Sequence, residues 1–246
     1  MMEIIKVNNY EEMSKTAAEY IIRKVCQFPE ATFGLATGST PVGTYKRLIE
    51  DYKDNGTSYK KVTTFNLDEY IGLSGENPQS YRYFMDSQLF DHLDIRKENT
   101  FVPSGTAADL EAECRNYESK LKNHGGIDLQ ILGIGNNGHI GFNEPGTSFS
   151  SKTHIVDLAD STIKANARFF NTIEEVPTQA ITMGIATIMQ SREILLLASG
   201  EAKADAIGQL LGNGVNEQFP ASVLRNHPNV KVIADEAALS ASKVRV

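Results

Sequence analysis

The stretch from Asp128 to Pro145, DLQILGIGNNGHIGFNEP, constrains this chain most. Leu129, Ile131, Leu132 and Ile134 form a short apolar run of the kind that makes a strand buried on both faces. Gly133, Gly135 and Gly138 then interrupt regularity, and Asn136, Asn137, His139, Asn143 and Glu144 follow. A buried strand that opens into Gly, Asn, His and Glu puts ionisable groups at the carboxyl edge of a sheet, where open α/β sheets bind ligands. Gly133-x-Gly135-x-x-Gly138 also has the spacing of a dinucleotide fingerprint. That fingerprint needs a helix beginning at its last glycine, so that the helix N-terminus faces the pyrophosphate. Here His139-Ile140-Gly141-Phe142-Asn143-Glu144-Pro145-Gly146 follows, with two glycines and a proline, and such a run does not form a helix. A nucleotide cofactor is therefore not expected.

Strand and helix patterns alternate along the rest of the chain. Glu3–Val7 reads as a strand, and Asn8 or Asn9 caps a helix over Tyr10–Gln27. Ala31–Thr37 reads as a strand and Pro41–Lys53 as a helix with proline in its first turn. Val62–Leu67 is a strand, Gln79–Leu93 a helix, and Ala107–Asn123 a helix with capping-box spacing from Thr106 to Asp109. After Pro145 the pattern predicts helices over Ser161–Phe170 and Ala180–Met189, a strand over Glu193–Ala198, and a helix from about Glu201 to Leu211. A strand over Val230–Ala234 and a terminal helix over Glu236–Ser242 complete it. This alternation predicts an α/β fold: a three-layer α/β/α sandwich with a mostly parallel, Rossmann-like central sheet, in one domain over 1–246.

The chain has 246 residues and a formal net charge of −7, which argues against nucleic acid and anionic membrane as partners. No apolar run approaches the roughly 18 residues of a membrane span. The acidic start, MMEIIKVNNYEEM, does not read as a signal peptide, and Cys26 and Cys114 lack CxxC spacing; both fit a reducing cytoplasm. The histidines (92, 124, 139, 154 and 227) show no HxH, HxxxH or HExxH spacing, so no metal is expected.

Several groups can carry chemistry. Thr37-Gly38-Ser39-Thr40-Pro41 follows a strand and opens a helix, an arrangement of backbone N–H groups and hydroxyls suited to an anion. The wider Gly38-x-x-x-x-Gly43-Thr44 spacing resembles a P-loop, but Thr44 stands where that loop carries lysine, so a phosphate monoester fits better than a nucleoside triphosphate. Asp68 or Glu69, after the third strand, can be desolvated enough to serve as a general base. His139 can shuttle protons near neutral pH, with Glu144 to orient it and Asn137 to direct hydrogen bonds. Lys203, in the first turn of a helix where a cation opposes the macrodipole, and Arg168, beside Phe169 and Phe170, can balance a phosphate.

These blocks, with Leu35-Ala36-Thr37-Gly38-Ser39-Thr40-Pro41, Phe65-Asn66-Leu67-Asp68-Glu69-Tyr70, Leu132 to Pro145, Arg168-Phe169-Phe170 and Ser199 to Ala204, resemble the glucosamine-6-phosphate deaminase family of the sugar-phosphate isomerase and lactonase superfamily. The resemblance runs over nearly the whole chain. It implies that the Thr37–Thr40 loop, Arg168 and Lys203 hold the substrate phosphate and that Asp68 moves a proton between C2 and C1. It further implies that His139 opens the sugar ring with Asn137 and Glu144 as partners, and that about 158–178 is a mobile lid. The partner implied is a small sugar phosphate, with no cofactor and with a homo-oligomer allowed. Asn137 stands where some members carry Asp, so it can orient but not accept a proton. Allosteric members carry basic residues after the Phe-Asn-Glu-Pro block and a longer tail; Ser151-Lys152-Thr153-His154 and an end at Val246 imply weak or absent activation by an amino-sugar phosphate. The alternatives are a 6-phosphogluconolactonase, which would share the Gly-x-x-Gly-His turn but not Phe142-Asn143-Glu144-Pro145, and a non-catalytic sugar-phosphate sensor, which would need neither Asp68 nor His139.

Overall fold

The computed structural model describes residues 2–159, 162–163, 167, 170, 172–212 and 214–242. Seven parallel strands form the central sheet: β1 (Glu3–Val7), β2 (Thr32–Leu35), β3 (Thr63–Asn66), β5 (Thr100–Phe101), β6 (Leu129–Leu132), β9 (Ile194–Ala198) and β10 (Val230–Asp235), in the order β1-β10-β9-β6-β2-β3-β5. All of their ladders are parallel. The central members β6 and β9 are buried at every position, which is why β9 reads as a continuous apolar run and β6 is apolar at every position but Gln130.

Alternate residues of these strands face two separate cores. Leu129, Ile131, Leu195, Leu197 and Ile233 pack against Met13, Ala17 and Ile21 of α1 (Tyr10–Gln27), Tyr45 and Leu48 of α2 (Val42–Asn55), and Met85 of α3 (Tyr81–Gln88). Leu132, Ile194, Leu196, Val230 and Val232 pack against Tyr117 and Leu121 of α4 (Leu110–Asn123), Ile188 of α5 (Ile185–Met189), and Ile207 and Leu210 of α6 (Ala204–Gly212). The period-2 alternation of a strand thus makes three layers.

A second sheet was not foreseen. β4 (Asp68–Tyr70), β8 (Gln179–Thr182) and β7 (His154–Asp157) form a three-stranded antiparallel sheet in the order β4-β8-β7. The chain leaves the main sheet at Leu67, whose N–H donates to Leu35 O while its carbonyl accepts from Met183 N–H, and enters the small sheet at Asp68. Residues 179–182 are therefore strand, not the first half of the helix expected over Ala180–Met189. Ladders to β4 on one side and β7 on the other outweigh the helical leaning of Ala180 and Ile181.

Other departures are local. The helix expected from Gln79 to Leu93 stops at Gln88, because Leu89 leaves helical geometry (φ −145°) and a 3₁₀ turn follows. α4 starts at Leu110, capped by Asp109 accepting from Ala112 N–H, so Thr106 is not the cap. Residues Glu236–Ser242 make successive turns rather than a helix, their first turn held by the Asp235 carboxylate accepting from Ala238 N–H. The helix expected over Ser161–Phe170 lies largely outside the described residues.

Candidate active site

From β2 the chain moves outward through β3 to β5, then returns to β6 on the opposite side of β2 and continues to β9 and β10. Strand order therefore reverses between β2 and β6, and a crevice opens there beyond their carboxyl ends. The loop after β2 carries Thr37–Thr40, the loop after β6 carries Asn136–Glu144, and the turn after β9, the next strand along, carries Lys203. Three sequence-distant groups meet because of strand order alone.

The loop after β6 is closed on itself. Gly135 N–H donates to His139 O at 2.9 Å, and Gly138 N–H to Gly135 O at 3.0 Å. Gly135 has to be glycine for a reason of space: a Cβ there would lie 2.3 Å from the His139 ring. The imidazole is held by a relay. Asn137 Nδ2 donates to Glu144 Oε2 at 2.7 Å, and Asn137 Oδ1 sits 2.8 Å from His139 Nδ1. Turning the amide over would face its oxygen to a carboxylate, so Oδ1 accepts and Nδ1 carries the proton. His139 Nε2 makes no hydrogen bond to a described residue. Glu144 Oε1 lies 3.6 Å from His139 Nδ1 and accepts from Thr162 Oγ1 at 2.9 Å. Burial works against the Glu144 charge, but the His139, Asn137 and Thr162 contacts outweigh it and hold the carboxyl down to about 2.

Asp68 and Glu69, both buried, separate cleanly. Glu69 accepts from the backbone N–H groups of Tyr70, Tyr81 and Arg82 at 2.9, 2.9 and 2.8 Å, capping α3 beside Ser80. Asp68 receives no hydrogen bond from any described residue. Burial, and then the neighbouring Glu69 charge, push its carboxyl up to about 8. A Cβ on Gly141 would lie 3.5 Å from Asp68 Oδ2, so the base candidate lies against the loop that carries His139.

The Thr37–Thr40 loop is braced from both neighbouring helices. Tyr10 Oη donates to Ser39 O at 3.0 Å and accepts from Gly43 N–H at 2.9 Å, and Tyr45 Oη donates to Ala36 O at 2.6 Å. Gly38 takes φ +85° and, like Ser39, is exposed. Thr40 Oγ1 is 4.0 Å from where a Cβ on Gly133 would sit, so this loop faces the start of the loop after β6. Lys203 lies in a 3₁₀ turn (Glu201–Lys203) ahead of α6, and its Nζ donates to Asn136 Oδ1 at 2.9 Å. Desolvation pulls its pKa down. Arg168 lies outside the described residues.

Sequence reasoning missed Asn136 as the partner of Lys203, Thr162 on Glu144, and Thr182, whose Oγ1 accepts from Phe142 N–H at 3.1 Å. Asn136 could have been found, standing in a loop already marked. Thr162 and Thr182 carry no local signal, since both arrive from distant segments. Among the described residues no three His, Cys, Asp or Glu side chains are grouped to hold a metal ion.

The family model for glucosamine-6-phosphate isomerases/6-phosphogluconolactonase matches residues 8–233. The chain is 61% identical over 239 residues to the glucosamine-6-phosphate deaminase of Geobacillus sp. (strain WCH70), covering 97% of this chain and 95% of that one. It is 60% identical to that of Shouchella clausii (strain KSM-K16), with 97% of each covered. A solved structure described as a monomeric glucosamine-6-phosphate deaminase superposes with a TM-score of 0.96 at 49% identity, over 98% of this chain and 100% of that one. The 6-phosphogluconolactonase of Trypanosoma brucei shares the fold, with a TM-score of 0.79 over 98% of each chain, at only 20% identity. The chain belongs to the glucosamine-6-phosphate isomerase/6-phosphogluconolactonase family.

Proposed function

We propose that this protein is a glucosamine-6-phosphate deaminase, converting glucosamine 6-phosphate and water to fructose 6-phosphate and ammonia in amino-sugar catabolism. The observation that carries the reading is a pair of proton carriers associated with one loop. One is an imidazole whose Nδ1–H is fixed by Asn137 and whose Nε2 has no partner among the described residues. The other is the buried carboxylate of Asp68, against Gly141 of the same loop. Deaminase relatives at 53–61% identity support the same assignment.

The chemistry needs two internal proton relays. Opening the pyranose takes a proton from the O1 hydroxyl and returns one to O5, and His139 Nε2 can do both in turn. Aldose-to-ketose isomerisation takes a proton from C2 and returns it to C1, and one carboxylate on one face, Asp68, can do both, while a second proton passes from the 2-amino group to the C1 oxygen. The resulting 2-imine adds water and releases ammonia. Glu144, through Asn137, keeps the imidazole in the required tautomer. A positioned acid or base contributes about 10²- to 10⁴-fold. Thr37, Gly38, Ser39, Thr40, Lys203 and Arg168 hold the phosphate; binding there, remote from C1 and C2, supplies orientation. A lactonase would have no use for a base placed to exchange the C2 proton.

We read 1–246 as one catalytic domain and about 158–178 as a lid, although 160, 161, 164–166, 168, 169 and 171 of that span lie outside the described residues. A relative at 49% identity is described as monomeric, so we take one chain as the catalytic unit. No helix among the described residues is long and apolar enough to cross a membrane, in keeping with a cytoplasmic enzyme. The deciding assay follows ammonia and fructose 6-phosphate from purified protein given glucosamine 6-phosphate. Absence of both products between pH 6 and 9 overturns the reading.

A further inference from the structure

Tyr10 opens α1, yet its hydroxyl reaches the loop after β2. Its Oη donates to Ser39 O at 3.0 Å and accepts from Gly43 N–H at 2.9 Å. One hydroxyl thus joins the Thr37–Thr40 loop to the first turn of α2. That turn has no local cap: Pro41, at the N-cap, makes no side-chain hydrogen bond, and no acid stands in the turn. The first N–H groups of a helix need acceptors from outside it, and here one comes from a residue 33 positions earlier. The approach depends on Gly43. A Cβ there would lie 2.3 Å from Ser14 Oγ and 3.0 Å from Cε1 of the Tyr10 ring. Glycine at this position lets α1 close onto the start of α2 and brings the phenol within reach. In a P-loop the second glycine of the Gly38-x-x-x-x-Gly43 spacing stands before the phosphate-binding lysine; in this chain it serves a helix contact.

In a trans peptide the C=O and the following N–H point in opposite directions. With Ser39 O turned to Tyr10, Thr40 N–H points away from α1. At the other end of the loop Tyr45 Oη donates to Ala36 O at 2.6 Å, which turns Thr37 N–H away from Tyr45. The N–H groups of Thr37, Gly38, Ser39 and Thr40 have no acceptor among the described residues. Successive backbone donors of this kind make a concavity suited to an anion, provided no carbonyl turns into it.

We infer that Tyr10 is a positioning residue for the substrate phosphate: its hydroxyl holds the Ser39–Thr40 peptide with the carbonyl drawn back and the N–H left for the anion. That role rests on the deaminase reading, in which the Thr37–Thr40 loop holds the phosphate. Without the hydroxyl, Ser39 O and Gly43 N–H both lose a partner, and the peptide between Ser39 and Thr40 is free to turn its carbonyl dipole against the anion. Tyr10 makes no contact that bears on C1 or C2, so its effect falls on binding.

The test compares Tyr10→Phe, which keeps the ring and removes the hydroxyl, with Tyr10→Leu, which removes both. Loss of one ordinary hydrogen bond is expected to raise KM for glucosamine 6-phosphate about three- to tenfold in Tyr10→Phe. kcat should stay within about twofold, as for an interaction made equally in the ground and transition states. The dissociation constant of inorganic phosphate, read by titration calorimetry, should rise by the same factor. The gain in melting temperature produced by a fixed phosphate concentration should shrink with it. Tyr10→Leu should bind phosphate as Tyr10→Phe does; if it does not fold, the phenylalanine variant decides alone. A hydroxyl that only steadies the fold would lower the melting temperature and leave both phosphate readouts in place, which overturns the proposal. So does a phenylalanine variant that binds like wild type beside an impaired leucine variant, because the ring would then carry the effect. Wild-type protein that neither binds inorganic phosphate nor turns over glucosamine 6-phosphate overturns the deaminase reading itself, and this inference with it.

Discussion

Asp68 and Glu69 are adjacent on one three-residue strand, and their carboxylates point to opposite faces with opposite fates: Glu69 accepts three backbone N–H groups at the start of α3, and Asp68 accepts none from any described residue. Strand alternation produces the separation. Of two neighbouring acids, one is bound into the scaffold and the other is left dry and reactive.

Asp68→Asn should therefore abolish exchange of the C2 proton and lower kcat by about 10²-fold or more, with substrate binding largely kept. It should also change the pH dependence of stability. The Asp68 carboxyl is raised from its ordinary value of 3.8 to about 8, first by burial and then by Glu69, so the folded state binds the proton more tightly than the unfolded chain. Stability from this group is complete at low pH and falls as pH rises through the folded value. Thermal denaturation should show wild type losing ground to Asp68→Asn between about pH 4 and 8. Parallel melting curves across that range would contradict the buried, donor-free placement.

Glu69→Gln keeps one accepting oxygen and loses the charge. The expected cost is about 1–3 kcal/mol of stability, from weakened charge-assisted caps at α3. Urea unfolding reads this directly. An unchanged midpoint would mean that the three N–H contacts contribute little.

For the relay, Asn137→Leu should leave the His139 ring without its Nδ1 partner and lower kcat by about 10²-fold, at the low end of what a positioned acid–base group supplies. The same change removes a donor from Glu144, whose carboxyl now sits at about 2. A depressed folded value means that the stability from Glu144 is present above its unfolded value of 4.5 and is lost as pH falls toward 2. The variant should shift that acid loss to higher pH, seen as an earlier onset of acid unfolding. Identical acid transitions would remove Asn137 from the pair.

Lys203→Ala removes an ammonium whose one described side-chain partner is the neutral Asn136 amide. Folding should be little affected. Substrate affinity should fall by about 1.5–3 kcal/mol, the worth of a charge-assisted hydrogen bond, with KM rising more than kcat falls. Weaker competition by inorganic phosphate should accompany it. A steady KM would exclude Lys203 from the phosphate site.

Much of this was legible in the residues. The apolar run of β6 and the polar loop after it mark a buried strand and its ligand edge, because burial on both faces keeps every position but Gln130 apolar until the strand ends. The glycine and proline content after Gly138 excludes a nucleotide-binding helix, and the chain there makes a tight turn bridged between Ile140 and Asn143. The small sheet was not legible. β4 is three residues long, and residues 179–182 lean towards helix until β4 and β7 flank them. Nor could the residues alone choose between Asp68 and Glu69, since that choice turns on which face of β4 meets α3.

The sequence by itself determined the alternation of elements, the parallel sheet and the residue types at its carboxyl edge, because these follow from local periodicity and turn chemistry. The tertiary structure decided the strand order that brings Lys203 and Thr37 to either side of β6. It also set the direction of the Asn137 amide, and it placed Thr182 opposite Asp68. Each of these is a contact between segments far apart in the chain, and such contacts form only when packing and hydrogen bonding across the whole fold are satisfied together.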